Sequence, residues 1–283
     1  MKNYVFGDTG GHAVQLLSSL EAIGVDLENF IIPDDVRIIH LGDLIHKGPM
    51  SKELVEIVNM LIVNNPNRWV QILGNHEFQH IEGSPYFWKC DCSFKEVDVI
   101  NEWFETGKAA ASFGLDTHKI ESLEVSAKPK LVLPETGILF THAGLTNQWW
   151  NALERPVSPV EASRLINMLP SDIVTTAGEM LGVRGYAGPV WAVGNTEVFN
   201  SWVSSEADMP FLQFHGHTTS YVWRMGKWWR NDAGFKEFRQ ATKLNPESRA
   251  VITSVANNFM IGIDPGYAKT ADTKMQPFVA FES

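Results

Sequence analysis

Asp8, Asp43, Asn75, His142 and His217 share one setting: each stands just beyond a short apolar run, in YVFGD, VRIIHLGD, WVQILGNHE, GILFTHAG and FLQFHGHTT. A sixth run, NFMIGIDPG, leads into Asp264 in the same way. Two carboxylates, an amide oxygen and two imidazoles make a mixed oxygen and nitrogen donor set. Such a set suits borderline divalent ions, Mn²⁺, Fe²⁺ or Zn²⁺, better than Ca²⁺, which takes oxygen alone. Gly42, Gly74, Gly144 and Gly216 flank these residues. Glycine there lets the backbone turn tightly and approach a ligand closely. One such motif reads as a turn; repetition at five strand ends reads as a site.

The elements that must carry these residues follow from the runs themselves. Each run is of strand length and rich in Val, Ile, Leu and Phe, as suits strands buried on both faces. Between them lie helical patterns. HAVQLLSSLEAIG places Val14, Leu17, Leu20 and Ile23 on one stripe with Gly24 as the stop. SKELVEIVNMLIVNN places Leu54, Ile57, Val58 and Leu61 inward, with Ser51 as its cap. VDVINEWFETGKAAASFG and SPVEASRLINML read as further helices. Strand and helix alternation implies a layered α/β fold whose ligands sit beyond the carboxyl ends of the strands. The chain is expected to be one domain over 1–283, with insertions at about 83–130 and 146–209.

Composition narrows the class. The 283 residues are 44% hydrophobic and carry a formal charge of −10. That charge argues against a nucleic-acid polymer as partner, unless bound cations invert the local field. Cys90 and Cys92 form neither a disulfide framework nor a complete zinc site. There is no signal-peptide pattern and no apolar run near the ~20 residues of a membrane span, so a cytoplasmic protein without a membrane partner is expected.

The motifs GDTGGH, GDLIHKGP, GNHE, THAGL and HGHT, in this order, resemble the calcineurin-like metallophosphoesterase family from Asp8 to about Asp264. GDLIHKGP and THAGL are most similar to the phosphoprotein-phosphatase branch, and within it to symmetric diadenosine tetraphosphatases and bacterial-type Ser/Thr phosphatases. The resemblance implies a layered β-sandwich with flanking helices and a metal site at the strand C-terminal ends. It implies a phosphatase-type hydrolase with one or two divalent ions, Mn²⁺ first, with Fe, Zn²⁺, Ni²⁺ and Mg²⁺ as alternatives. Asp8 would belong to the first ion, Asp43 would bridge, and Asn75, His142 and His217 would complete the second. A metal-activated hydroxide would attack phosphorus, and His76 would protonate the leaving oxygen.

The departures matter as much. Gly10 stands where the family pattern D-x-H has its histidine, and Thr219 where G-H-x-H has its last one. His12 is either a replacement ligand or a residue of the first helical turn. His46 replaces the aspartate that orients the general acid in many relatives, leaving His76 without a carboxylate to raise its pKa. Lys47 holds the place of a phosphate-gripping arginine, keeping the charge and losing the bidentate fork. Arg184 is a candidate second phosphate ligand or a solvated surface residue. Trp149, Trp150, Trp223, Trp228 and Trp229 either stack a nucleobase or belong to the core. The substrate class is a phosphorylated small molecule, a nucleotide such as a dinucleoside polyphosphate, or a phosphoprotein. The alternative is a degenerate member, with an impaired first metal site, that binds phosphate or nucleotide without turnover.

Overall fold

A computed structural model of the chain describes residues 1–89, 91–116, 137–183, 185–271 and 274–283. All six apolar runs are strands. Thirteen strands occur among the described residues: β1 (Lys2–Phe6), β2 (Val36–His40), β3 (Trp69–Ile72), β4 (Ala109–Ala110), β5 (Ser112–Leu115), β6 (Ile138–Thr141), β7 (Leu212–His215), β8 (Tyr221–Val222), β9 (Lys227–Trp228), β10 (Thr242–Asn245), β11 (Ala250–Val255), β12 (Asn258–Gly262) and β13 (Phe278–Glu282). One sheet has the order β13-β1-β2-β3-β4, and a second the order β10-β11-β12-β7-β6-β5. The hairpin β8-β9 stands apart.

In the first sheet β1, β2 and β3 run parallel, with Phe6 opposite His40 and Ile38 opposite Trp69. In the second, β6, β7 and β12 run parallel, with Ile138 opposite Leu212 and Gly262 opposite His215. Each of these six strands therefore sends its carboxyl end into a loop that carries a polar residue. The sheets face each other across Val5, Ile39, Ile72, Phe140, Phe214 and Phe281. Phe140 stacks on Phe214 with ring centroids 5.3 Å apart. Helices α1 (Ala13–Ala22), α2 (Ser51–Asn64), α3 (Asn75–Phe78), α4 (Phe94–Glu105), α5 (Asn147–Ala152) and α6 (Pro159–Asn167) contribute to a second cluster on the outer faces. This is the expected layered α/β sandwich with flanking helices.

Several local expectations are corrected. The buried face of α1 is Ala13, Leu16, Ser19 and Leu20, while Val14 is exposed. Ser19 turns inward because its hydroxyl donates to the Gln276 carbonyl at 2.8 Å. Ser51 does not cap α2; it is the first helical residue, and its hydroxyl accepts from the His46 amide at 2.9 Å. Val55 and Ile62 join Leu54, Val58 and Leu61 on the buried face of α2, with Ile57 packed half-buried beside them. The helix read through Gly114 ends at Glu105, and the alanine-rich stretch after it forms β4 and β5. Pairing of Ile72 with Ala110 outweighs the helix propensity of alanine there.

Candidate metal centre

Asp43 leaves β2 in a left-handed backbone conformation, φ 52°, and His46, Lys47 and His217 are also left-handed, at 70°, 65° and 61°. Such conformations cost about 1–3 kcal/mol each in non-glycine residues and persist only where surrounding contacts impose them. Glu77 supplies much of that constraint. Its Oε2 accepts from the amides of Asp43 and Gly74, each at 2.8 Å. Its Oε1 accepts from Leu44 at 2.8 Å and Ile45 at 3.2 Å. Burial pushes the Glu77 carboxyl up to about 7, Asp43 adds to the rise, and the amide donors oppose it. This bracing role was not read from GNHE, because nothing local shows that the side chain reaches back to another loop.

Asp43, His142 and His217 are buried and offer ligand atoms within 4.8 Å of one another. His142 Nδ1 donates to the Leu41 carbonyl at 2.8 Å, so Nε2 carries a lone pair. That lone pair lies 3.0 Å from Asn75 Oδ1 and 3.2 Å from Asp43 Oδ1, and His217 Nδ1 lies 3.1 Å away. His217 Nδ1 is 3.2 Å from Asn75 Oδ1. Asp43 Oδ1, Asn75 Oδ1 and His142 Nε2 have no hydrogen to place between them. A cation bound among them would relieve their mutual repulsion. Separations near 3 Å are the edges of a polyhedron with bonds of about 2.0–2.2 Å, the range of a divalent ion with nitrogen and oxygen ligands. The residues fit a borderline divalent metal.

Two glycines are required for this approach. A Cβ at Gly74 would lie 2.2 Å from Asp43 Oδ1 and 2.9 Å from His142 Cε1. A Cβ at Gly216 would lie 2.2 Å from Asp8 Oδ1.

Asp8 joins through its Oδ1, which accepts the His217 amide at 2.9 Å; its Oδ2 is buried with no partner. Burial, then Asp264 and Asp43, raises the Asp8 carboxyl well above the usual range. Burial alone would do the same to Asp43, but the surrounding imidazoles and the Lys47 ammonium reverse this and hold it low. Burial pushes His142 down and His217 well down, which favours the neutral form that metal binding requires.

His76 Nε2 faces Asp43 Oδ2 at 3.7 Å, and its Nδ1 lies 2.6 Å from His46 Nδ1. Burial drives His76 down to about 3, against the pull of Asp43, and His46 down to about 4. Lys47 Nζ lies 3.6 Å from Asp43 Oδ2, its side chain 25% exposed. Burial opposes the Lys47 charge, but Asp43, Asp8 and Asp264 prevail and raise its pKa.

His12 is not brought to the site. Its Nε2 bonds to the Ala268 carbonyl at 2.9 Å and its ring meets Tyr267 edge-on. Thr219 donates to Asp264 Oδ2 at 2.5 Å. Arg184 and Cys90 lie outside the described residues. Among the tryptophans, Trp150 packs on Trp202, Trp149 packs partly buried against the core, Trp223 on Tyr221, and Trp228 on Tyr221 and Phe238. Trp229 is 68% exposed and, with Arg230, bounds a cavity of about 360 Å³ that reaches His217.

A family model described as calcineurin-like phosphoesterase matches residues 1–245. Among curated proteins, none matches the chain. A point mutant of a cold-active protein tyrosine phosphatase shares 13% identity and a TM-score of 0.50, covering 94% of this chain and 71% of its own. The cold-active protein-tyrosine phosphatase of a psychrophilic Shewanella species shares 13% identity over the same shares, with a TM-score of 0.49. A protein serine/threonine phosphatase from Saccharomyces cerevisiae shares 13% identity over 100% of this chain and 80% of its own, with a TM-score of 0.45. At such identity the first likeness is one of fold, and the other two carry no weight beyond it. No helix among the described residues is long and apolar enough to cross a membrane.

Proposed function

Because the chain belongs to the calcineurin-like phosphoesterase family and is a phosphatase-type hydrolase, we propose that it cleaves a phosphoanhydride of the dinucleoside polyphosphate class with a Mn²⁺-type ion held by Asp43, Asn75, His142 and His217. The observation that carries this is the convergence of Asn75 Oδ1 and Asp43 Oδ1 on His142 Nε2, at 3.0 Å and 3.2 Å. When bound, the ion supplies Lewis-acid polarisation of a phosphoryl oxygen and a water of lowered pKa.

The chain's own residues do the rest. Lys47 presents positive charge beside Asp43 for the non-bridging phosphoryl oxygens. Asp8, anchored on the His217 amide, faces the same side. Cleavage puts charge on the leaving oxygen, and His76 Nε2 delivers the proton there. To do so His76 must be doubly protonated, with Nδ1–H donating to His46 Nδ1. That partner is a neutral imidazole rather than a carboxylate, so the acid form is scarce at neutral pH. A leaving phosphate, with a pKa near about 6, needs little protonation; a serine alkoxide needs far more. The anhydride is thereby favoured over a phosphoprotein. The Trp229 cavity beside His217 supports the same choice, since an exposed indole stacks a base at about 1–3 kcal/mol. The alternative, a binding module without turnover, is not favoured, because Asp43, Asn75, His142 and His217 are all present and gathered.

Purified protein with Mn²⁺ is expected to hydrolyse bis-p-nitrophenyl phosphate and diadenosine tetraphosphate, and Asn75→Ala or His217→Ala to abolish both. Higher kcat/KM on a phosphoserine peptide than on the dinucleotide would reverse the substrate assignment. No turnover with any divalent ion across pH would defeat the enzymatic reading.

A further inference from the structure

Lys47 and Gly10 are a matched pair. A Cβ built at Gly10 would lie 3.5 Å from Lys47 Cδ and 3.7 Å from Lys47 Cβ. A side chain at position 10 would therefore start in van der Waals contact with the Lys47 stem. The two loops are zipped so that this relation is not free to drift. Gly10 N donates to the Asp43 carbonyl and Gly11 N to the Leu44 carbonyl, each at 2.7 Å. Gly48 N returns to the Gly10 carbonyl at 2.7 Å and Met50 N to the Gly11 carbonyl at 2.9 Å. Gly11 permits no side chain either, because its Cβ would meet the Gly48 carbonyl at 2.7 Å.

The ammonium at the end of that stem sits 3.6 Å from Asp43 Oδ2, the oxygen turned away from the His142 cluster. Asp8 and Asp264 also act on it electrostatically. On this side lie carboxylates, and among the described residues the imidazole that reaches the same Asp43 oxygen is His76, at 3.7 Å. Position 219, which could bring a donor, is a threonine tied to Asp264. A lysine ammonium is a compact point charge with three donors, able to sit among carboxylate oxygens where a cation would.

We propose that the Lys47 ammonium takes the position of a first ion, so that the centre binds a single divalent metal, at Asp43, Asn75, His142 and His217. This rests on the functional reading above. The carboxylates of Asp8, Asp43 and Asp264 are then balanced by one ammonium and one divalent ion. Lys47 is a built-in, permanently present cation, and only the second ion exchanges with solvent. Asp8 then acts on the Lys47 ammonium through space rather than serving as a metal ligand.

The test is metal stoichiometry, read by native mass spectrometry and calorimetry on the full chain with Mn²⁺. Wild type is expected to bind one ion, and Asn75→Ala none. The double variant Gly10→His with Lys47→Ala restores an imidazole, removes the ammonium and is expected to bind two; histidine tolerates the positive φ of position 10, 52°, better than most residues. Asp8→Asn, which makes no steric demand, is expected to leave one ion bound with affinity changed less than about threefold, because in this arrangement Asp8 touches no metal. Two ions in wild type, one ion in the folded double variant, or loss of an ion in Asp8→Asn each overturns the proposal and leaves the functional reading standing. No bound ion in wild type overturns both.

Discussion

His142 Nδ1 donates to the Leu41 carbonyl at 2.8 Å, and this bond decides what the other ring nitrogen can do. It fixes the tautomer, so Nε2 enters the cluster as a lone pair aimed at Asn75 and Asp43. Leu41 follows β2 directly, so the bond also ties the carboxyl end of a first-sheet strand to that of a second-sheet strand. His142→Gln is expected to keep the fold and to weaken metal binding at least 100-fold, with turnover falling in proportion. Calorimetric titration with Mn²⁺ measures the first, and hydrolysis at a fixed Mn²⁺ concentration below saturation the second. Unchanged affinity would mean the ion sits elsewhere.

Gly216 tests the close approach directly. A methyl there meets Asp8 Oδ1 at 2.2 Å, within the loop that carries His217. Gly216→Ala is expected to push the His217 ring off its position and to cost about 10–100-fold in metal affinity, the range for disturbing a ligand's support. Thermal stability in the absence of metal is expected to change far less than for a core truncation, since the loop moves while the sheets stay. A metal affinity equal to wild type would show that the loop absorbs the methyl freely.

With His76 as the proposed general acid, its pairing with His46 sets the pH range of acid catalysis. Burial holds His76 down to about 3, and its Nδ1 partner is neutral. The protonated acid is the active form, so turnover of a substrate with a poor leaving group is expected to decline as pH rises above that low value. His46→Asp introduces a carboxylate beside Nδ1. An opposite charge at hydrogen-bond range raises a pKa by about 1–3 units, so the basic limb is expected to move upward. The pH profile of kcat on an alkyl phosphate measures it, and a limb that stays or moves down contradicts the assignment.

His40 makes folding itself pH-dependent. Its Nδ1 accepts from the Gly42 amide and the Gln71 amide group, each at 3.2 Å, and its Nε2 meets Thr9 Oγ1 at 2.7 Å. Burial, then His142, lowers its pKa to about 3. Unfolded histidine titrates near about 6.5. Between these values the unfolded chain binds a proton that the folded chain refuses, so stability rises with pH across that window and is lost as pH falls through it. The slope is about 1.4 kcal/mol per pH unit for one such group. Denaturant titrations at pH 7 and pH 5 are expected to show the loss in wild type. His40→Gln, which has no proton to take up, is expected to flatten the difference by roughly this amount per unit.

How much of this was legible in the chain can be argued residue by residue. The strand ends carrying Asp8, Asp43, Asn75, His142 and His217 were readable because a run of apolar residues ending in glycine and a polar group is a local pattern. So were the layering of the fold and the class of donor atoms. The buried face of α1 was misjudged because Ser19 is held inward by Gln276, more than 250 positions away. The alanine stretch after Glu105 read as helix because its pairing with β3 is invisible locally.

The sequence by itself determined which side chains are present and that each follows a strand: two carboxylates, an amide, two imidazoles, a further histidine at position 76, and no histidine at position 10. Only the tertiary structure decided which of them meet. It sends His12 to the Ala268 carbonyl, uses Glu77 to hold the Asp43 loop, and lays Lys47 across Gly10 toward the carboxylates. The physical reason is range. Hydrophobic periodicity and turn chemistry act over a few residues, whereas the candidate metal centre forms where the carboxyl ends of strands from two sheets meet, a condition set by packing across the whole chain.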